Sequence, residues 1–133
     1  LAGASRRYRA HPAALRLIRE FVRGQALEAG LDGETDDLVL AASEAAGNAI
    51  VHASGDRVEI RWHRLADSVE IEVRDSGLFK RRPRMPNAEG GRGIQVILAL
   101  MDDVTIREGR PGRPGTVVRM RKRVGEPALG WTV

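Results

Sequence analysis

Hydrophobic positions along this chain recur with two different periods. Leu15, Ile18 and Val22 stand at helical spacing, joined by Leu17 and Phe21, and predict a helix over about 12–29. Pro12 suits its start, and Gly30 ends it with a left-handed cap. The acids of Asp32-Gly33-Glu34-Thr35-Asp36-Asp37 favour a helix N-terminus. A second, alanine-rich helix follows over about 34–53 and ends near Ser54-Gly55-Asp56. The period then falls to two. Val58, Ile60 and Trp62 alternate with Glu59, Arg61 and His63, and Val69, Ile71 and Val73 with Glu70, Glu72 and Arg74. The link Leu65-Ala66-Asp67-Ser68 makes these runs an antiparallel hairpin, one face buried and one wet. Residues 5–10 predict a short edge strand, and residues 76–93, rich in Gly, Pro, Lys and Arg, predict a long loop. Ile94 to Met101 reads as a short buried helix. Val104–Ile106 and Thr116–Met120 read as two strands joined by a turn over Glu108–Gly115.

The order of elements predicts an α+β fold. It is a two-layer sandwich with a mixed, mostly antiparallel sheet of about five strands and three helices on one face. A chain of 133 residues is one domain with one core. We expect that domain over 1–125 and a weakly patterned tail over 126–133. Cysteine is absent, which excludes disulfides, thiolate metal ligands and thiol catalysis and fits the cytoplasm. No apolar run is long enough for a membrane helix, and no secretion signal is legible. The chain opens on Leu1 rather than Met, which fits a domain taken from a longer protein. The net charge is +4, carried mostly by Arg, and invites a nucleic-acid reading. Aromatics at 4% leave little for base stacking, so direct nucleic-acid contact is not expected.

The second helix carries the most chemistry. It is almost wholly apolar or small, yet Glu44 and Asn48 sit in it four apart, on one face, and His52 continues the row. Such a row is ordinarily a solvent face. Here its neighbours are Ala41, Ala45, Gly47 and Val51 rather than further charges, which fits a row facing a polar cavity. A carboxylate in a greasy setting needs a partner. Two oxygen donors suit Mg²⁺, which leans on waters and substrate phosphates. His52 also reads as a packing or capping residue near the helix end.

Two further segments gain meaning in combination. Asp75-Ser76-Gly77 ends the hairpin. It is an ordinary turn, or a carboxylate placed for an exocyclic amine with a glycine that lets a flat ring approach. Gly90-Gly91-Arg92-Gly93 precedes the apolar helix. It is a flexible link, or a phosphate site made of unpaired helix-start N–H groups and the Arg92 fork. It is neither a P-loop nor a dinucleotide fingerprint.

In order, these segments resemble the GHKL ATPase superfamily, with its histidine-kinase-like ATPase fold, and within it the anti-sigma-factor serine kinases (RsbW-like). The matching segments are Ser43–Ala53, Val73–Gly77, Gly90–Ile94 and Gly115–Met120, and the resemblance covers about residues 5–123. It implies ATP and Mg²⁺ as cofactors. Asn48 would hold Mg²⁺ and Glu44 would be the general base. Asp75 would bind the adenine amino group, with Gly77 making room for the ring. Gly91 and Gly93 would cradle phosphates, and residues 78–90 would form the ATP lid. His52, Gly90, Arg92, Ile94 and Thr116 complete the expected ATP site. The implied partners are a STAS-domain anti-sigma-factor antagonist, phosphorylated on Ser or Thr, and a sigma factor; family kinases often form homodimers.

The chain departs from the wider pattern at Phe79, where a second glycine is common, and in the basic run Lys80-Arg81-Arg82-Pro83-Arg84. Two other readings stay open. One is the ATP-binding domain of a larger histidine kinase or phosphatase–kinase fusion, although His11, His52 and His63 lack a phosphoacceptor setting. The other is a non-catalytic module that binds ATP or a sigma factor, against which the retained Glu44 counts.

Overall fold

A computed structural model describes residues 3–52, 56–75, 89–110 and 113–125. The chain runs β1 (Gly3–Arg9), α1 (Ala14–Glu28), α2 (Thr35–His52), β2 (Arg57–Arg64), β3 (Ser68–Asp75), α3 (Glu89–Leu100), β4 (Asp103–Arg110) and β5 (Arg113–Arg123). The five strands form one sheet in the order β1-β2-β3-β5-β4. The expected mixed sheet is antiparallel at every described pairing.

The helices lie on one face, as the alternation requires. Val58, Ile60 and Trp62 of β2, Val69, Ile71 and Val73 of β3 and Met120 of β5 point into the core. They meet Ile18, Phe21 and Val22 of α1, Leu38 and the alanines of α2, and Ile97 of α3. α2 is the central helix, touching α1, α3, β2 and β3. Its buried contact residues include Ala41, Ala42, Ala45, Ala46 and Ala49, which let neighbours on several sides approach closely. This explains why its sequence lacks a clean amphipathic stripe.

Helix ends follow local chemistry. α1 starts at Ala14 rather than at Pro12, because Pro12 stays in a turn where His11 Nδ1 accepts the Ala13 N–H at 3.0 Å. Gly30, with φ +77°, closes the helix, and the Gly30 and Leu31 amides donate to the Leu27 and Ala26 carbonyls. Leu17, which joins the helical pattern in the sequence, is about half exposed.

The main correction concerns residues 89–93. Expected in a loop, they form the first turns of α3, which therefore begins at Glu89. Glycine's low helix propensity argued for a loop; packing of α3 on α2 overrides it. The turn expected over Glu108–Gly115 is also tighter, since β4 runs to Arg110 and β5 starts at Arg113. The tail 126–133 lies outside the described residues.

The opposite face of the sheet is charged. Glu72 is nearly buried there by arginine side chains: Arg74 Nε donates to Oε1 at 3.0 Å and Arg119 Nε to Oε2 at 2.9 Å. Burial pushes this carboxyl up, but the hydrogen bonds and charges of Arg74 and Arg119 outweigh it and hold it below its ordinary range. Its stabilising contribution is therefore complete at neutral pH and is lost as pH falls through the depressed value. Glu72→Gln should cost about 1.5–3 kcal/mol at pH 7, with the gap to wild type closing below about pH 4. Denaturant melts across pH measure this; a gap that does not narrow in acid contradicts it.

Candidate functional site

Glu44 and Asn48 lie on the flank of α2 between its buried arc and its exposed side, and both are half-buried. What covers them is α3. A Cβ built on Gly93 would stand 3.0 Å from Glu44 Oε1, 3.3 Å from Asn48 Nδ2 and 3.6 Å from Asn48 Oδ1. The row therefore faces neither bulk water nor plain core. Its carboxylate and amide converge on one spot where the neighbouring helix has only a hydrogen. Gly93 is buried, and Ile94 beside it packs on the core. Gly90, Gly91 and Arg92 form the first turn of the same helix, whose leading N–H groups have no helical acceptor.

A second cluster forms where β3 ends. Asp75 is buried and cross-paired with Thr116 of β5 and Val58 of β2. The side chains of Asp75 and Thr116 share the helix-facing side of the sheet. Gly115 fixes this end: its φ is +110°, and a Cβ there would clash with the Asp75 carbonyl oxygen. Only glycine lets β5 approach Asp75 in this way.

Sequence reasoning quoted Gly115 within a matching segment but gave it no role. The available signal was a glycine between Pro114 and the β-branched run from Thr116. It also placed Gly93 before a helix rather than inside one, against the acid and amide. Gly77, the lid residues 78–88 and the side chains of His52 and Arg92 lie outside the described residues.

α2 lies against both β3 and α3, so the two clusters share the helix side of the sheet. The donor set fits Mg²⁺. Asn48 Oδ1 and Glu44 Oε1 border one space, and the described residues hold no cluster of three or more His, Cys, Asp or Glu to form an all-protein cage. A hard cation here would draw the rest of its shell from phosphates and water.

The sequence profile of the family described as "Histidine kinase-like ATPase domain" matches residues 8–122. The chain belongs to that family. It is 34% identical to "Anti-sigma F factor" of Caldanaerobacter subterraneus subsp. tengcongensis, over 69% of this chain and 72% of that protein. It is 31% identical to "Serine-protein kinase RsbW" of Bacillus subtilis, over 85% of this chain and 80% of that protein. Among solved structures, the fold resembles "Mycobacterial sensor histidine kinase MprB", with TM-score 0.54 and 16% identity, covering 93% of this chain and 99% of that one. The family therefore agrees with the resemblance. No helix among the described residues is long and apolar enough to cross a membrane.

The two glycines predict opposite outcomes. Gly93→Ala should leave the melting temperature unchanged or higher, since alanine favours a helix by about 1 kcal/mol. It should weaken MgATP binding at least tenfold by displacing Glu44 and Asn48; unchanged binding by titration calorimetry contradicts the assignment. Gly115→Ala should instead cost on the order of 2 kcal/mol or more in a denaturant melt, because it combines a left-handed backbone with a backbone clash. A wild-type melt would refute that contact.

Proposed function

We propose that this protein is an ATP-dependent serine/threonine-protein kinase of anti-sigma-factor type. It transfers the γ-phosphate of ATP to a Ser or Thr of a STAS-domain antagonist. The unphosphorylated antagonist competes with a sigma factor for the kinase, so phosphorylation decides which partner is held. The observation that carries this reading is the convergence of Glu44 and Asn48 on Gly93, because phosphoryl transfer to a hydroxyl uses a carboxylate base close to an oxygen ligand for the metal.

Residues 1–125 would form the single ATP-binding kinase domain, acting in the cytoplasm and able to pair as a homodimer, with 126–133 as a tail. Asp75 accepts a hydrogen bond from the adenine amino group, and Gly77 leaves room for the ring. Thr116 adds a hydroxyl beside Asp75. Gly90, Gly91, Arg92, Gly93 and Ile94 bring the start of α3 to the phosphates, and His52 closes the end of the α2 row. Asn48 Oδ1 would hold Mg²⁺, which supplies charge neutralisation on the phosphates when bound. Glu44 takes the proton of the attacking hydroxyl. That oxygen bonds to the γ-phosphorus as the bond to the bridging oxygen breaks, and ADP departs. Positioning and charge do the rest.

Glu44→Gln should retain MgATP binding and lose transfer by about 100-fold or more. Asn48→Ala should weaken Mg²⁺-dependent nucleotide binding. The assay is labelled ATP with STAS-domain proteins encoded near this one. Acid-stable, alkali-labile label is expected. Acid-labile label would favour a histidine kinase, and nucleotide binding without transfer a non-catalytic module. Wild-type transfer by Glu44→Gln would remove the base assignment.

A further inference from the structure

The sheet has a second face, turned away from the helices and the proposed nucleotide site. The strand register fixes what stands on it. β1 brings Arg7 and Arg9, β2 brings Arg57 and Arg61, and β3 brings Arg74. β5 adds Arg119, Arg121 and Arg123, and β4 adds Arg107. Against these nine arginines the same face carries four carboxylates, Glu59, Glu70, Glu72 and Asp103. Its excess of five positive charges is larger than the +4 of the whole chain, so the rest of the molecule is close to balanced.

The carboxylates hold this face in order. Arg61 pairs with Glu59 at 3.2 Å, Arg74 with Glu72 at 3.0 Å, Arg119 with both Glu70 and Glu72 at 2.9 Å, and Arg121 with Asp103 at 3.1 Å. Arg7, Arg9, Arg107 and Arg123 are exposed, and no carboxylate among the described residues pairs with their guanidinium groups. The face thus offers planar donor forks on a rigid frame. Between β3, β5 and β4 it dips into a shallow concavity of about 340 Å³ lined by Glu70, Asp103, Thr105 and Arg119 among others.

We propose that this outer sheet face docks a protein partner through a patch rich in Asp and Glu, independently of the nucleotide site. Charge complementarity sets the sign. The interleaved carboxylates set the class: discrete acids on a folded partner can sit between them, whereas a continuous phosphate backbone crossing the sheet would meet them on β2, β3 and β4. The face also carries no Phe, Tyr or Trp among its described residues, the large rings on which bases stack best. A second copy of this chain would bring arginines against arginines.

The test uses a fluorescein-labelled twenty-residue glutamate peptide as probe, read by anisotropy with the full chain. We expect saturable binding that weakens at least tenfold between 50 and 300 mM salt, on the order expected when several charge pairs are broken. Reversing Arg7, Arg9, Arg107 and Arg123 to Glu should abolish it while MgATP binding stays at the wild-type level, which separates this face from the kinase reading. A second variant with the same four residues as Gln should lose at least tenfold in affinity and guards against misfolding of the reversal. Removing the charges of Lys80, Arg81, Arg82 and Arg84 should leave peptide binding intact. Loss in that variant with retention in the sheet variants overturns the proposal. So does tighter binding of a twenty-residue oligothymidylate, or a dimer in sedimentation that the sheet variants dissolve.

Discussion

The site depends on how closely α3 can approach α2. The alanines of α2 let that helix lie among α1, α3 and the sheet, and Gly93 takes α3 the last few ångströms towards Glu44 and Asn48. A bulkier helix in either place would hold the polar pair apart or leave it in bulk water. Burial here serves placement as much as stability: two polar side chains, expensive to bury alone, are kept half-covered at a seam where the proposed MgATP would supply partners.

A similar close approach recurs at the other end of the site. β5 can reach Asp75 only because Gly115 takes a left-handed conformation and has no Cβ. The carboxylate is thereby held at a strand end, cross-paired on both sides, instead of swinging on a free loop. The fold thus anchors both clusters on regular elements, which gives the precision that the proposed phosphoryl transfer would require. The outer face of the sheet has its own logic. Its cross-strand ion pairs are arranged by register, and the nearly buried Glu72 ties Arg74 and Arg119 together.

Much of this was legible in the chain. Strict alternation in 58–63 and 69–74 specified the hairpin and its buried face, and the structure follows it residue for residue. Asp75 was readable as the strand-end acid, and Glu44 and Asn48 as neighbours on one helix face. The fold and the family were therefore accessible from pattern and motif order. Three features were not. Helical glycines at 90–93 contradict local propensity and form because of tertiary packing. The contact of Gly93 with residues some forty-five positions earlier has no local signature. The lengths of β4 and β5 rest on pairing with each other, since Arg107, Glu108 and Arg113 carry no β pattern of their own.

The most direct measurement is a crystal structure of the chain with Mg²⁺ and a non-hydrolysable ATP analogue. The account predicts the Asn48 amide oxygen in the metal's coordination shell, Glu44 beside the γ-phosphate and the adenine amino group on the Asp75 carboxylate. A nucleotide bound elsewhere, or a metal held without Asn48, would contradict it.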